Sequence, residues 1–162
     1  EVFGWSTWVI GVSLSAYGVL IIISQAVVMP YAVGFLGERK LTVYGLILSV
    51  VTLTGFGFTS AVWTLAILLP MAALSDLVPP TLSAMAANVT SDDRQGMVQG
   101  VISSLAAIAA VLSPLVYPPI FGAFVGDAPA LYLPGAPYLF AALLALATLL
   151  LVLGQKPEAH AG

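Results

Sequence analysis

Cysteine is absent from this chain of 162 residues, which excludes disulfides, thiolate chemistry and cysteine-built metal sites. Charge is scarce as well. Asp, Glu, Lys and Arg together make up 7% of the chain, where an ordinary soluble domain carries about 25%. With four Lys and Arg in all, no basic patch for nucleic acid can form. The one histidine, His160, lies in the polar C-terminal tail and reads as a solvated side chain rather than a ligand. No GxxxxGK[ST] phosphate loop, HExxH zinc motif, Gly-x-Ser-x-Gly elbow or intramembrane carboxylate pair occurs, so no enzyme, metal or cofactor is expected. The chain opens at Glu1 without a Met or a charged segment before an apolar core. The expectation is a fragment or processed chain whose own start is missing, not a signal peptide.

What is present is apolar. Hydrophobic residues make up 60% of the chain, and mean hydropathy is +1.10. That composition excludes a disordered chain and points to an all-α membrane protein. The apolar runs are continuous and too long for the alternating strands of about 10 residues that build a barrel. The pI near 4.6 comes from a few loop carboxylates.

The charges divide the chain into spans. None occurs between Glu1 and Glu38, and the first span is expected over 8–33, with Trp5 and Trp8 at the headgroup level. A polar turn, Gly34 to Lys40, follows. The next uncharged run, Leu41 to Ser75, would make roughly 50 Å of helix, too long for a core of about 30 Å. It is expected to fold back at Gly55–Ser60, with Trp63 as the next anchor, giving spans over 41–58 and 61–89. Span three holds Pro70, Asp76, Pro79 and Pro80. Its pieces on either side of Asp76 are too short to cross alone, which predicts a kinked helix in preference to two re-entrant halves. Ser91 or Asp92 can cap the next helix, and Asp92 and Asp93 suit its N-terminal dipole. Span four is expected over 95–120, with Pro114 inside and Pro118–Pro119 near its end. A Gly/Pro/Ala-rich loop carrying Asp127 follows, then span five over 138–153 and a polar tail. Arg39, Lys40, Arg94 and Lys156 then share one face, which the positive-inside rule makes cytoplasmic, with the N-terminus external.

Few side chains in these spans can carry chemistry. Asp76 is the one ionisable group placed in hydrocarbon. Insertion of such a charge costs about 2.5–3.5 kcal/mol, so it is expected to line a substrate or proton pathway or to serve as a hydrogen-bonded structural group. No Lys, Arg or His within a span can pair with it. Gln25, midway along span one, can contact a solute or bridge helices. Ser49, Thr52 and Thr54 are expected to bond their own backbone or a neighbouring helix. Gly96 and Gly100 form a GxxxG, continued by Ser104, which predicts close helix packing.

The order of these elements resembles a known family. The stretch Gly11-Val-Ser-Leu-Ser-Ala-Tyr-Gly18, then Gln25, then Leu36-Gly37-Glu38-Arg39-Lys40, is similar to helix eight and the following turn of the major facilitator superfamily. The most similar branch is that of the tetracycline exporters. Pro80-Thr-Leu82-Ser-Ala84-Met85, Arg94-Gln95-Gly96-Met-Val-Gln99-Gly100 and Ser113-Pro114-Leu115 resemble helix ten, the ten–eleven turn and helix eleven. Gly34-Phe35 stand where the turn motif carries Asp-Arg. Ser49 stands at the helix-nine Asp of the exporters, and Asp76 where they have a small residue. The resemblance implies helices eight to twelve, part of a C-terminal six-helix bundle, with the N-terminal half and helix seven absent. It implies a secondary transporter moving a small solute or drug by alternating access, in proton-coupled efflux. A facilitator-type importer of a sugar or metabolite and a non-transporting membrane scaffold subunit are the alternatives. The implied partners are the lipid bilayer, a small-molecule substrate, protons and the missing N-terminal half. The implied location is a bacterial inner membrane. Gln25 and Asp76 would face the pathway. Gly37, Arg39, Arg94, Gln95, Gly96, Gly100 and Pro114 would serve the cytoplasmic turns and helix packing.

Overall fold

The computed structural model describes residues 6–59, 62–126 and 131–155, and among them there is no strand. Trp5, Ser60, Asp127, Lys156 and His160 lie outside the described residues. The helices are α1 (Thr7–Ile23), a π-helical stretch (Ser24–Val28), α2 (Met29–Leu36), α3 (Glu38–Phe58), α4 (Val62–Ser75), α5 (Val78–Asn88), α6 (Gln95–Val125) and α7 (Ala136–Gly154). They make five segments long and apolar enough to cross a membrane: Thr7–Leu36, Glu38–Phe58, Trp63–Asn88, Asp92–Val125 and Ala136–Gly154. Helix is the structure such sequences must take in lipid, because it satisfies every backbone polar group within one segment.

The boundaries follow local chemistry. The Ser6 side chain caps α1 by accepting from the Val9 amide at 3.4 Å. The polar turn expected over Gly34–Lys40 shrinks to a single residue. Helix runs to Leu36 and restarts at Glu38, and Gly37 alone changes direction with φ 75° and ψ 159°. That region is closed to most side chains but open to glycine. Between α5 and α6, Ser91 holds the N-cap position of a 3₁₀ turn over Asp92–Arg94, but its side chain makes no capping bond. Asp92 instead accepts from the Gln95 amide nitrogen at 3.2 Å. Helix α6 runs unbroken through Pro114, Pro118 and Pro119 to Val125, further than the loop expected from Phe121.

Helix α3 is the centre of the bundle and packs against α2, α4, α5 and α7. The core joins Leu46, Val78 and Leu149, with Val43, Leu82 and Val152 against them. Thr42, Thr52 and Thr81 are fully buried, and each hydroxyl donates to the carbonyl four residues back, at 2.9, 2.7 and 2.6 Å. Thr52 thus satisfies itself locally.

The tightest approaches are made by glycines other than the GxxxG pair. A Cβ on Gly135 would stand 1.9 Å from the Gly57 carbonyl oxygen, and one on Gly45 would stand 2.5 Å from Val78 Cγ2. At Gly96 and Gly100, in contrast, such a Cβ would meet nothing within 4 Å. The close packing expected there is not made within this chain. Helix α6 touches α5 and α7 and has no buried residue.

Candidate functional site

Span three is interrupted at its middle. Asp76 and Leu77 form a turn between α4 and α5. The cause lies just downstream, since Pro79 and Pro80 have no amide hydrogen to offer the carbonyls of Ser75 and Asp76. Prolines at the start of a helix are tolerated because those amides need no helical partner. Both pieces lie along α3. The Asp76 amide still donates to the Ala72 carbonyl at 3.0 Å, and the Thr81 amide to the Leu77 carbonyl at 3.1 Å. The carboxylate therefore sits at the joint of a kinked span, half-buried.

Asp76 has a partner that the sequence reading did not assign. The Tyr17 hydroxyl donates to Asp76 Oδ2 at 2.6 Å, linking span one to the joint of span three. Tyr17 is itself half-buried, on the helix that packs against α4. Two signals could have pointed to it. A buried tyrosine hydroxyl needs a hydrogen-bond partner, and among the described residues Asp76 is the only carboxylate away from the end of a span. What the sequence could not supply was the rotation of α1 about its axis.

The other candidates are spread over the bundle. Gln25 lies in the π-helical stretch and is exposed, whereas its neighbour Ser24 is buried. Wider turns of this kind recur at functional sites. At one end of the bundle the Arg39 guanidinium donates to the Gln155 carbonyl, and the Asn88 amide donates to Glu38 Oε1 at 2.9 Å. These bonds join the start of α3 to the ends of α5 and α7. Arg94 Nε lies 3.9 Å from Asp93 Oδ2, with both side chains exposed. An ion pair so placed contributes little. Gln95, Gly96, Gly100 and Pro114 follow along α6, and all four are exposed, as is Ser104, whose hydroxyl donates to the Gly100 carbonyl at 2.8 Å. Among the described residues, open, apolar grooves include one of about 510 Å³ along α1 from Trp8 to Val19 and one of about 400 Å³ between Gly55 and Leu68. Neither is lined by Gln25 or Asp76. No cluster of metal-ligating side chains occurs among the described residues.

Comparison with known proteins adds to this geometry. The family model described as Major Facilitator Superfamily matches residues 1–162. The chain is 30% identical over 124 residues to the tetracycline resistance protein, class G, of Vibrio anguillarum, covering 76% of this chain and 32% of that protein. It is 28% identical over 121 residues to the class C protein of Escherichia coli, covering 75% of this chain and 31% of the relative. It is also similar to the hippocampus abundant transcript-like protein 1 of Mus musculus, at 26% identity over 167 residues, covering 94% of this chain and 33% of the relative. The chain thus spans about a third of the length of these relatives. No solved structure gives a significant match.

Proposed function

Because this chain belongs to the major facilitator superfamily, we propose that it forms helices eight to twelve of a secondary transporter. That transporter moves a small solute or drug by alternating access, in proton-coupled efflux. The chain is an integral, multi-pass membrane protein. Two of its relatives are named for tetracycline resistance, which makes an organic, drug-like compound the proposed cargo. The bacterial inner membrane is the proposed location, with the Arg39 and Arg94 turns in the cytoplasm. An N-terminal half would complete the fold.

The observation that carries this reading is Asp76, one half-buried carboxylate at the interrupted middle of an apolar span. Carboxylates in such places mark substrate and proton pathways. Discontinuous helices near the midplane build the sites of secondary transporters. Asp76 takes a proton while the pathway opens to one side and releases it when the pathway opens to the other. Gln25 presents an amide on an exposed face and contacts the solute. Gly37, Arg39, Arg94 and Gln95 shape the cytoplasmic turns. Gly96, Gly100 and Pro114 serve the packing of α6 against a helix from outside this chain.

The test is Asp76→Asn in the full-length transporter reconstituted into liposomes, with tetracycline as the first probe. The amide keeps size and hydrogen bonding but cannot titrate. Transport driven by a proton gradient is expected to fall at least tenfold, while solute exchange without a gradient persists. Full gradient-driven transport in the Asn variant would remove Asp76 from the coupling.

A further inference from the structure

Span one is joined to the rest of the bundle by few interior contacts. Helix α1 has no buried residue and packs against α4. Against that sparse background, one polar contact stands out. The Tyr17 hydroxyl donates to Asp76 Oδ2 at 2.6 Å across 59 positions of sequence, and it meets span three at the joint. Span one is itself interrupted shortly after Tyr17, by the π-helical stretch Ser24–Val28. The hydrogen bond therefore links two spans that each depart from regular helix nearby.

The surroundings leave Tyr17 as the group that senses the carboxyl. Helices α4 and α5 carry no titratable side chain of their own. On α3, which packs against both, Glu38 accepts from Asn88, Arg39 donates to the Gln155 carbonyl, Lys40 adjoins them in the first turn, and Tyr44 is exposed. On α6 and the turn before it stand Tyr117, Asp92, Asp93 and Arg94. Of all these, Tyr17 alone hydrogen-bonds to Asp76 among the described residues.

We infer that Tyr17 is a positioning residue that latches span one to the joint of span three while Asp76 is ionised and loosens it once Asp76 is protonated. The chemistry is direct. A hydroxyl donating to a carboxylate makes a charge-assisted bond of about 2.5–2.7 Å, roughly twice as strong as its neutral counterpart. Protonation converts it to the weaker kind. Within this chain α1 has no buried residue, so weakening this bond loosens its hold on α4. Proton uptake at Asp76 becomes movement of a helix.

The inference rests on the proposed titration of Asp76, and the test separates the two. In the full-length transporter in lipid, the infrared carbonyl band of protonated Asp76 is identified by its loss in Asp76→Asn and followed through a pH titration. Tyr17→Phe keeps the ring but removes the donor to the ionised form, so the band's midpoint should move up by about one pH unit, a tenfold change in proton affinity. Fluorotyrosine in place of Tyr17 nearly preserves the volume and donates more strongly, so the midpoint should move down. It also serves if the Phe variant fails to insert. A midpoint indifferent to both changes overturns the latch and leaves the reading of Asp76 standing. If no Asp76 band titrates in the unmodified transporter, the proton reading falls, and the latch with it.

Discussion

Single residues set the tolerances of this bundle, and glycine shows it most plainly. At Gly135 an added methyl would stand 1.9 Å from the Gly57 carbonyl oxygen. The obstacle is backbone and cannot rotate aside, so α3 and the start of α7 would have to part. Overpacking of this kind costs about 1–3 kcal/mol or more. Gly135→Ala should therefore lower the thermal unfolding midpoint of the purified protein by several degrees. An unchanged midpoint would mean that α3 and α7 do not meet there. Gly37 is constrained for another reason. Nothing lies within 4 Å of its added Cβ, but its φ is 75°. Forcing another residue into backbone with positive φ and extended ψ costs about 1–3 kcal/mol. Gly37→Ala should destabilise by that amount, while Gly34→Ala, in regular helix with open space around it, should be neutral or slightly stabilising. Equal effects at the two positions would refute the assignment of the turn to Gly37.

At the scale of elements, α6 differs from the rest. It is the longest helix described, at 31 residues, and none of them is buried. Gly96, Gly100 and Ser104 follow one another at helical spacing on exposed positions. Such smooth faces let a second helix approach closely. We propose that its partner is a helix outside this chain. Gly100→Leu leaves the packing shown here untouched, since nothing lies within 4 Å of that position. In the full-length protein the same change should reduce the monodisperse yield and the proposed transport, because a leucine cannot fit where two backbones nearly touch. Size-exclusion profiles and uptake assays read both, and normal values would show that α6 faces lipid at Gly100. Span three behaves in the opposite way. Both of its helices are packed along α3, and its irregularity comes from within, at Pro79 and Pro80.

For the whole molecule, the ends of the helices define a polarity. The Arg39–Gln155 and Asn88–Glu38 bonds gather the start of α3 and the ends of α5 and α7. Arg39, Lys40 and Arg94 consequently share one end of the bundle. Since the chain has no cysteine, single labels can be placed cleanly. Ser91→Cys, beside Arg94, and Leu131→Cys, exposed between α6 and α7, should react with an impermeant reagent from opposite sides of the membrane. Labelling of both in intact cells would break the five-span topology. Much of this architecture was legible beforehand. Charge-free runs of about 20 residues or more can only be helices in lipid, and Asp76 stood out as the one charge expected away from the ends of the spans. The single-residue turn at Gly37, the π-helical stretch around Gln25 and the length of α6 were not legible. Each depends on backbone geometry that composition does not encode.

By itself, then, the sequence determined the class of the protein, the number of its spans and the carboxylate that stands apart. Hydrophobic length and charge spacing are local properties that the bilayer reads directly. Only the tertiary structure decided that Tyr17 meets Asp76, that Gly57 and Gly135 carry the closest approach, and that Gly96 and Gly100 stay uncovered within this chain. Helices this uniformly apolar show little preference for which face turns inward. Rotation and partner are chosen by packing between segments distant in sequence, where small residues allow contact and one hydroxyl finds one carboxylate.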